Sequence, residues 1–373
     1  MTPRPRPVTP APVLDPASAA RTRRQMRLPQ IGEEGQRRLA AARIAVVGAG
    51  GLGSPVIEYL AAAGVGRLTI LDPDVLEPSN LHRQVVHSAA DLGRPKAVSA
   101  AERARALAPG VEAVPVQRAV DAASAVELLA GHDVIVDGSD NFPTRYAVSD
   151  AAEILDLPVV WGSILGFDGQ VAVFWSDAGR GATYRDLVAS PPAPGEVPSC
   201  AEAGVVGPLC GLIGSAMALQ VIHLVLGSGD PLLGRLAVLD ALTLTWDQVP
   251  LQRRPGRPVV TTVEDVALTC GLPGAPTAAD GPAPVEPQEL PGLIADGTLV
   301  VDVREETEWQ QRHLPGTRHL PLAQLLASGG PELEGAVLLC ASGRRSETAR
   351  RALAERGITT RSVRGGLEAV PEG

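Results

Sequence analysis

The chain has 373 residues, a net charge of −9 and 45% apolar residues, enough for two or three domains with cores of their own. The acidic balance argues against a nucleic-acid-binding face, which needs concentrated positive charge, and 3% aromatic content leaves few rings to stack on bases. The opening "MTPRPRPVTPAPV" is too broken by proline to be an export signal. No apolar stretch is read as reaching the roughly 20 residues of a membrane helix; Ile213–Leu226, interrupted by His223, comes nearest. We therefore expect a cytoplasmic chain with reduced thiols, and neither membrane nor nucleic acid among its partners. The cysteines stand at 200, 210, 270 and 340 with no C-x-x-C pair, so a thiolate zinc site has no support.

In chain order, residues 1–20 read as a disordered, Pro-rich tail. "RIAVVGAGGLGSPVIEYLAAAGVGRLTILDPD" then gives strand (Ile44–Val47), glycine turn, helix (Leu52–Ala63) and strand (Leu68–Leu71). "VEAVPVQRAV", "DVIVDGSD" and "PVVWGSILG" are further strands, separated by helical segments that include Lys96–Leu107 and Tyr146–Leu155. "GLIGSAMALQVIHLVLG" is a buried helix, and "GRLAVLDALTLTWDQVPL" a hairpin. Residues 251–290, dense in Pro, Ala and Gly towards their end, read as a linker whose stretch 265–290 is long enough to let one domain visit the other. "TLVVDVR" and "AVLLC" are buried strands of a second domain over 291–373. The expected class is α/β: a Rossmann-like domain with a parallel-rich sheet over 21–250, followed by a small α/β domain.

Gly48, Gly50 and Gly53 form G-x-G-x-x-G between a strand and a helix, where a tight turn and a helix N-terminus suit phosphate. The fingerprint alone fits NAD, FAD or another nucleotide. Asp72, 24 residues after Gly48, could accept from a ribose hydroxyl. Arg83, Lys96 and the pair Asp137 and Asp140 shift the balance. A nicotinamide enzyme has no need of two cations beside two carboxylates, whereas a triphosphate with Mg²⁺ does.

Here the sequence resembles a family. "RRQMRLPQIGEEGQRRLAAARIAVVGAGGLGSP", "LEPSNLHRQ", "GRPK", "DGSDNFPTRY", "WGSILGFDGQ" and "VPSCAEAGVVGP" are similar to blocks of the MoeB/ThiF-type (E1-like) adenylating enzymes of molybdopterin and thiamine biosynthesis, relatives of ubiquitin-activating enzymes. The resemblance implies ATP-dependent adenylation of the C-terminal carboxylate of a small ubiquitin-like sulfur-carrier protein ending in Gly-Gly. Gly48, Gly50, Gly51 and Gly53 would cradle ATP, with Asn80 and Asn141 beside it. Asp72 would bind ribose, Arg83 and Lys96 the phosphates, and Asp140 Mg²⁺. Arg24 would reach into a neighbouring subunit's ATP site, implying a homodimer. Cys200 matches a cysteine with a varying role in carrier thiolation; Cys210 reads as a small buried residue. The family's two zinc-binding C-x-x-C pairs are both missing: Thr183 and Asp186 stand at the first, and Pro258 to Thr261 contain no cysteine at the second. No zinc is therefore expected, and local packing must replace its contribution.

In "VLLCASGRRSETA", Cys340 ends a strand. Loop N–H groups, a helix from Glu347 and the charges of Arg344 and Arg345 could stabilise a thiolate or persulfide. With "LVVDVREETEW", "HLPGTRHLPL" and "VRGGLEAV", this segment resembles the single-domain rhodaneses. Cys340 would take sulfur from thiosulfate or a cysteine desulfurase, Arg345 would face the anion, and Asp302 and Arg304 would be structural. The spacing C-x4-R favours a sulfur-sized or thiosulfate-sized guest over a phosphate monoester. Two other readings stay open: an NAD-dependent oxidoreductase fused to a rhodanese, and a non-catalytic carrier-docking protein.

Overall fold

The computed structural model describes residues 5–191, 204–266, 282–328, 330–341 and 343–370, which divide into two compact units. The first holds an eight-stranded sheet in the order β3-β2-β1-β4-β5-β6-β7-β8. Strands β1 (Arg43–Val47), β2 (Arg67–Leu71), β3 (Glu112–Val116), β4 (Val134–Asp137) and β5 (Val159–Leu165) run parallel. Strands β6 (Asp168–Phe174), β7 (Arg235–Asp240) and β8 (Thr245–Pro250) continue antiparallel. The middle strands are apolar runs because both sheet faces are covered: Ile44, Val46, Ile135 and Val136 are fully buried.

The helices are α1 (Pro16–Thr22), α2 (Gly32–Ala41), α3 (Gly53–Ala63), α4 (Lys96–Leu107), α5 (Ala125–Leu129), α6 (Phe142–Leu155), α7 (Tyr184–Leu187) and α8 (Gly207–Leu226). Helix α8 corrects one expectation. Its 20 residues are long and apolar enough to cross a membrane by length and composition. More than half of that window is buried, with Ile213, Met217 and Val221 in the main core. Length comes from Pro208 in the first turn, where its missing N–H costs nothing, and from Gly227 (φ 66°), which stops the helix.

The Pro-rich start is a second departure. Residues 7–12 are docked along α2 and the end of α8: Val8 N–H donates to Val225 O at 3.1 Å. Proline removes donors but leaves carbonyls, and the guanidinium groups of α2 meet those carbonyls. Arg38 reaches Val8 O (2.8 Å) and Arg37 reaches Pro12 O (3.1 Å).

The stretch expected to open the linker also packs on the first unit. Asp186 Oδ1 accepts from Arg254 N–H and Arg257 Nε, both at 2.9 Å, while Arg257 Nη1 lies 2.9 Å from Glu153. Beside them Arg185 bonds Asp150 at 2.6 and 2.8 Å and Glu264 at 2.9 Å. The side chains of Asp150 and Asp186 are wholly buried, and the cluster includes Asp186, one of the positions where local packing is expected in place of a metal.

The second unit is a four-stranded parallel sheet in the order β10-β9-β11-β12: β9 (Val300–Asp302), β10 (Arg318–His319), β11 (Val337–Leu339) and β12 (Arg361–Ser362). Helices α9 (Leu290–Ala295), α10 (Glu306–Gln311), α11 (Leu322–Ser328) and α12 (Arg344–Glu355) accompany it. The unit starts before residue 291, since Val285 bridges to Val363 and is buried with Leu290.

Candidate active sites

The first candidate site lies at the carboxyl edge of the parallel strands, where open α/β sheets bind ligands. Gly48 leaves β1 with φ 89°, a conformation that favours glycine. A Cβ on Gly53 would lie 1.8 Å from Gly48 O, so only glycine lets α3 start this close to the strand end. A Cβ on Gly51 would lie 2.9 Å from Cys210 Sγ and 3.6 Å from Arg83 Cδ, which places the buried Cys210 and Arg83 against the loop.

Asp72 touches the loop directly. Its Oδ2 accepts from Ala49 N–H and its Oδ1 from Asp74 N–H, each at 2.8 Å. Burial pushes its carboxyl above the usual carboxylate range, with those two N–H groups opposing. Lys96 opens α4 and is buried, its Nζ 3.1 Å from Asp74 Oδ2. Asp137 ends β4 wholly buried and accepts from Ser139 N–H and Oγ; burial raises it as well. Asp140, three residues on, is exposed. Arg83 donates to Ser79 O at 3.0 Å. Asn80 closes a capping box with Glu77, and Asn141 caps α6 by accepting from Thr144 N–H at 3.0 Å.

The structure thus gathers Gly48, Gly50, Gly51, Gly53, Asp72, Arg83 and Lys96 around one turn. It does not bring Arg24 there. Arg24 is exposed, and its neighbour Gln25 bonds Ala63 O at the far end of α3, an 11-residue helix about 16 Å long. Cys200 lies outside the described residues.

Sequence reasoning missed His87. It is buried, with Nε2 3.0 Å from Ala49 O and Nδ1 2.9 Å from Ser99 Oγ. Burial holds it below the usual histidine value, hence neutral. It stands four residues after Arg83, but an uncharged imidazole gives no charge signal.

The second candidate site is the Cys340 loop. Cys340 follows β11 and is fully buried, and Ser346 N–H points at its Sγ from 3.4 Å. Helix α12 begins at Arg344, not Glu347, because Gly343 takes φ 84° and caps it. That earlier start puts Ser346 in the first turn, with its N–H free of the helix ladder and available to sulfur. The "VRGG" turn lies against the same loop: a Cβ on Gly366 would sit 2.4 Å from Cys340 O, and Leu367 N–H donates to that oxygen at 2.8 Å. Arg345 differs from the expectation of an anion-facing fork. Glu308 on α10 takes both its Nη atoms at 2.6 Å. Asp302 and Arg304 form a buried bidentate pair.

Comparison with known proteins agrees with both halves. The ThiF family model matches residues 22–259, and the rhodanese-like domain model matches 286–372. The chain belongs to the ThiF family and carries a C-terminal rhodanese-like domain. It is 42% identical over 364 residues to "Probable adenylyltransferase/sulfurtransferase MoeZ" of Mycobacterium tuberculosis, covering 93% of each chain. It is 51% identical over 263 residues to the "Sulfur carrier protein adenylyltransferase" of Thermus thermophilus, covering 68% of this chain and 96% of that one. It is 40% identical to "Adenylyltransferase and sulfurtransferase MOCS3" of Bos taurus, over 86% of this chain and 73% of that one. The crystal structure of PaaA shares the fold, with a TM-score of 0.56 and 22% identity over 65% of this chain and 76% of that one. This ThiF–rhodanese chain is an enzyme of the adenylyltransferase/sulfurtransferase group.

Proposed function

We propose that the ThiF unit uses ATP to adenylate the C-terminal carboxylate of a small ubiquitin-like sulfur-carrier protein ending in Gly-Gly, and that the rhodanese-like unit supplies sulfur from a Cys340 persulfide. The observation that carries this reading is the convergence of glycine loop, Asp72, Arg83 and Lys96 at one sheet edge. The carrier carboxylate attacks the α-phosphorus in line, the bond to the β-phosphate breaks and pyrophosphate leaves. Arg83 and Lys96 neutralise phosphate charge, and positioning supplies most of the remaining rate. The exposed Asp140 carboxylate suits a hard divalent cation, and Mg²⁺ held there would neutralise phosphate oxygens. Arg24, turned away from its own loop, would serve a second copy's site in a homodimer.

Cys340 accepts sulfur from thiosulfate, releasing sulfite, or from a cysteine desulfurase persulfide, releasing its thiolate. The Cys340 persulfide then attacks the acyl carbon of the adenylate, AMP leaves, and an acyl disulfide forms. Attack by the Cys200 thiolate on the Cys340 sulfur of that disulfide releases the carrier thiocarboxylate and leaves a Cys200–Cys340 disulfide for an external thiol to reduce.

The test is ATP–pyrophosphate exchange with each diglycine-ended carrier of the source genome, with Asp140→Ala as control. Exchange that requires both carrier and Asp140 supports the reading. No exchange with any folded carrier overturns it and leaves a rhodanese joined to a nucleotide-fold docking unit.

A further inference from the structure

Resting on the ATP reading above, we propose that His87 is the positioning residue of the glycine loop, holding it in the form that receives the polyphosphate.

The argument starts with the peptide between Ala49 and Gly50. In a trans peptide the carbonyl and the following N–H lie in one plane and point opposite ways. His87 Nε2 lies 3.0 Å from Ala49 O. A carbonyl only accepts, so Nε2 carries the proton. Pinning that carbonyl towards His87 turns the Gly50 N–H away from the imidazole. On its other side, Ala49 N–H is held by Asp72 Oδ2 at 2.8 Å. Ala49 is therefore clamped through both its backbone groups, and both anchors are buried.

The second nitrogen extends the clamp. Nδ1 lies 2.9 Å from Ser99 Oγ, whose hydroxyl can donate to the neutral ring. Ser99 stands three residues after Lys96 on α4. Lys96 in turn holds Asp74 twice, N–H to carbonyl at 2.9 Å and Nζ to carboxylate at 3.1 Å. Asp74 N–H donates to Asp72, and Asp72 returns to Ala49. These contacts form a closed circuit: Ala49, His87, Ser99, Lys96, Asp74, Asp72 and back to Ala49. The loop amides and the Lys96 ammonium, which would meet different phosphates of one ligand, are thereby held in a fixed relation. Among the described residues, His87 is the side chain that links the loop carbonyl to α4.

Steady-state pyrophosphate exchange at saturating carrier tests this, beside direct binding of ATP in the absence of carrier. For His87→Ala we expect KM and Kd for ATP to rise about tenfold, the loss of one buried hydrogen bond. The KM for carrier should stay where it is. His87→Gln, whose carboxamide N–H can still reach the Ala49 carbonyl, should recover most of the ATP affinity. Ser99→Ala should weaken ATP by a smaller factor. A role limited to folding would lower the melting temperature and the active fraction of His87→Ala but leave the KM for ATP unchanged, and that result overturns the proposal. Should His87→Ala not fold, His87→Asn, too short to bond both sides, takes its place with the same two outcomes. Wild-type protein that neither binds ATP nor exchanges pyrophosphate sinks the ATP reading itself. Wild-type activity with unmoved variants sinks only the role of His87.

Discussion

The two candidate sites are built in opposite ways. Around the glycine loop, Ala49 is held by Asp72 and His87, 23 and 38 positions further on, and Cys210 packs against Gly51 from a helix still later in the chain. Around Cys340 the sulfur faces the N–H of Ser346, only six positions on, within one strand–loop–helix unit. The glycine-loop site is a product of the whole domain, whereas the Cys340 loop is nearly a local structure. A distributed site should lose function by degrees when one contact goes. A local site with one reacting atom should lose it at once.

The sharpest way to break this comparison is Cys340→Ala. Carrier thiocarboxylate formation should fall by about a thousandfold or more, because the sulfur is carried on the Cys340 Sγ, while carrier-dependent pyrophosphate exchange continues. The readout is mass spectrometry of the carrier, which gains one sulfur for one oxygen only in the wild type. Thiocarboxylate produced by Cys340→Ala at the wild-type rate would refute the local-site view.

Next in size is the ionic cluster of the first unit. Asp186→Ala leaves Arg257 beside Glu153 but removes the acceptor of the Arg254 N–H and the Arg257 Nε. Breaking a buried pair from one side costs about 3–5 kcal/mol, a fall in melting temperature on the order of 10 °C. Calorimetry should show the transition of the first unit moving and that of the second staying. Equal movement of both transitions would mean that the two units do not unfold independently.

Much of this was legible in the sequence, for reasons that can be named. Continuous apolar runs announced β1, β4 and β5, since strands covered on both faces need no polar alternation. Gly48 and Gly53 were readable because each meets a constraint only glycine satisfies. Charged residues at the strand ends pointed to phosphate. The misreadings came from interactions without a local signature. Residues 1–20 read as disordered by composition, but the carbonyls of Val8 and Pro12 are met by Arg38 and Arg37 from α2. The cluster of Asp186, Glu153 and Arg257 joins residues 71 and 104 positions apart, which no motif reports. His87 was passed over because its work is done as a neutral ring.

The smallest effect concerns Glu308, and it bears on how local the sulfur site is. Glu308 holds the start of α12 from outside the strand–loop–helix unit, taking both Nη atoms of Arg345 at 2.6 Å. Arg345 holds its carboxyl below the usual glutamate value of 4.5. A carboxylate depressed in the folded state stabilises above its unfolded value, and the contribution is lost as pH falls through the folded one. Both side chains keep some solvent contact, at 22% and 34%, so the pair is worth about 1 kcal/mol or less. Glu308→Gln should therefore lower the melting temperature of the second unit by a few degrees at pH 7, and the difference should shrink as pH drops below 4.5. The chemistry should move the other way. With its partner neutral, Arg345 presents net positive charge to an approaching dianion, so the KM for thiosulfate should fall several-fold. A persulfide donor, which is not a dianion, should be affected less. A KM for thiosulfate that rises in Glu308→Gln would show that the carboxylate is needed to shape the loop, and that the Cys340 site depends on its surroundings as the glycine-loop site does.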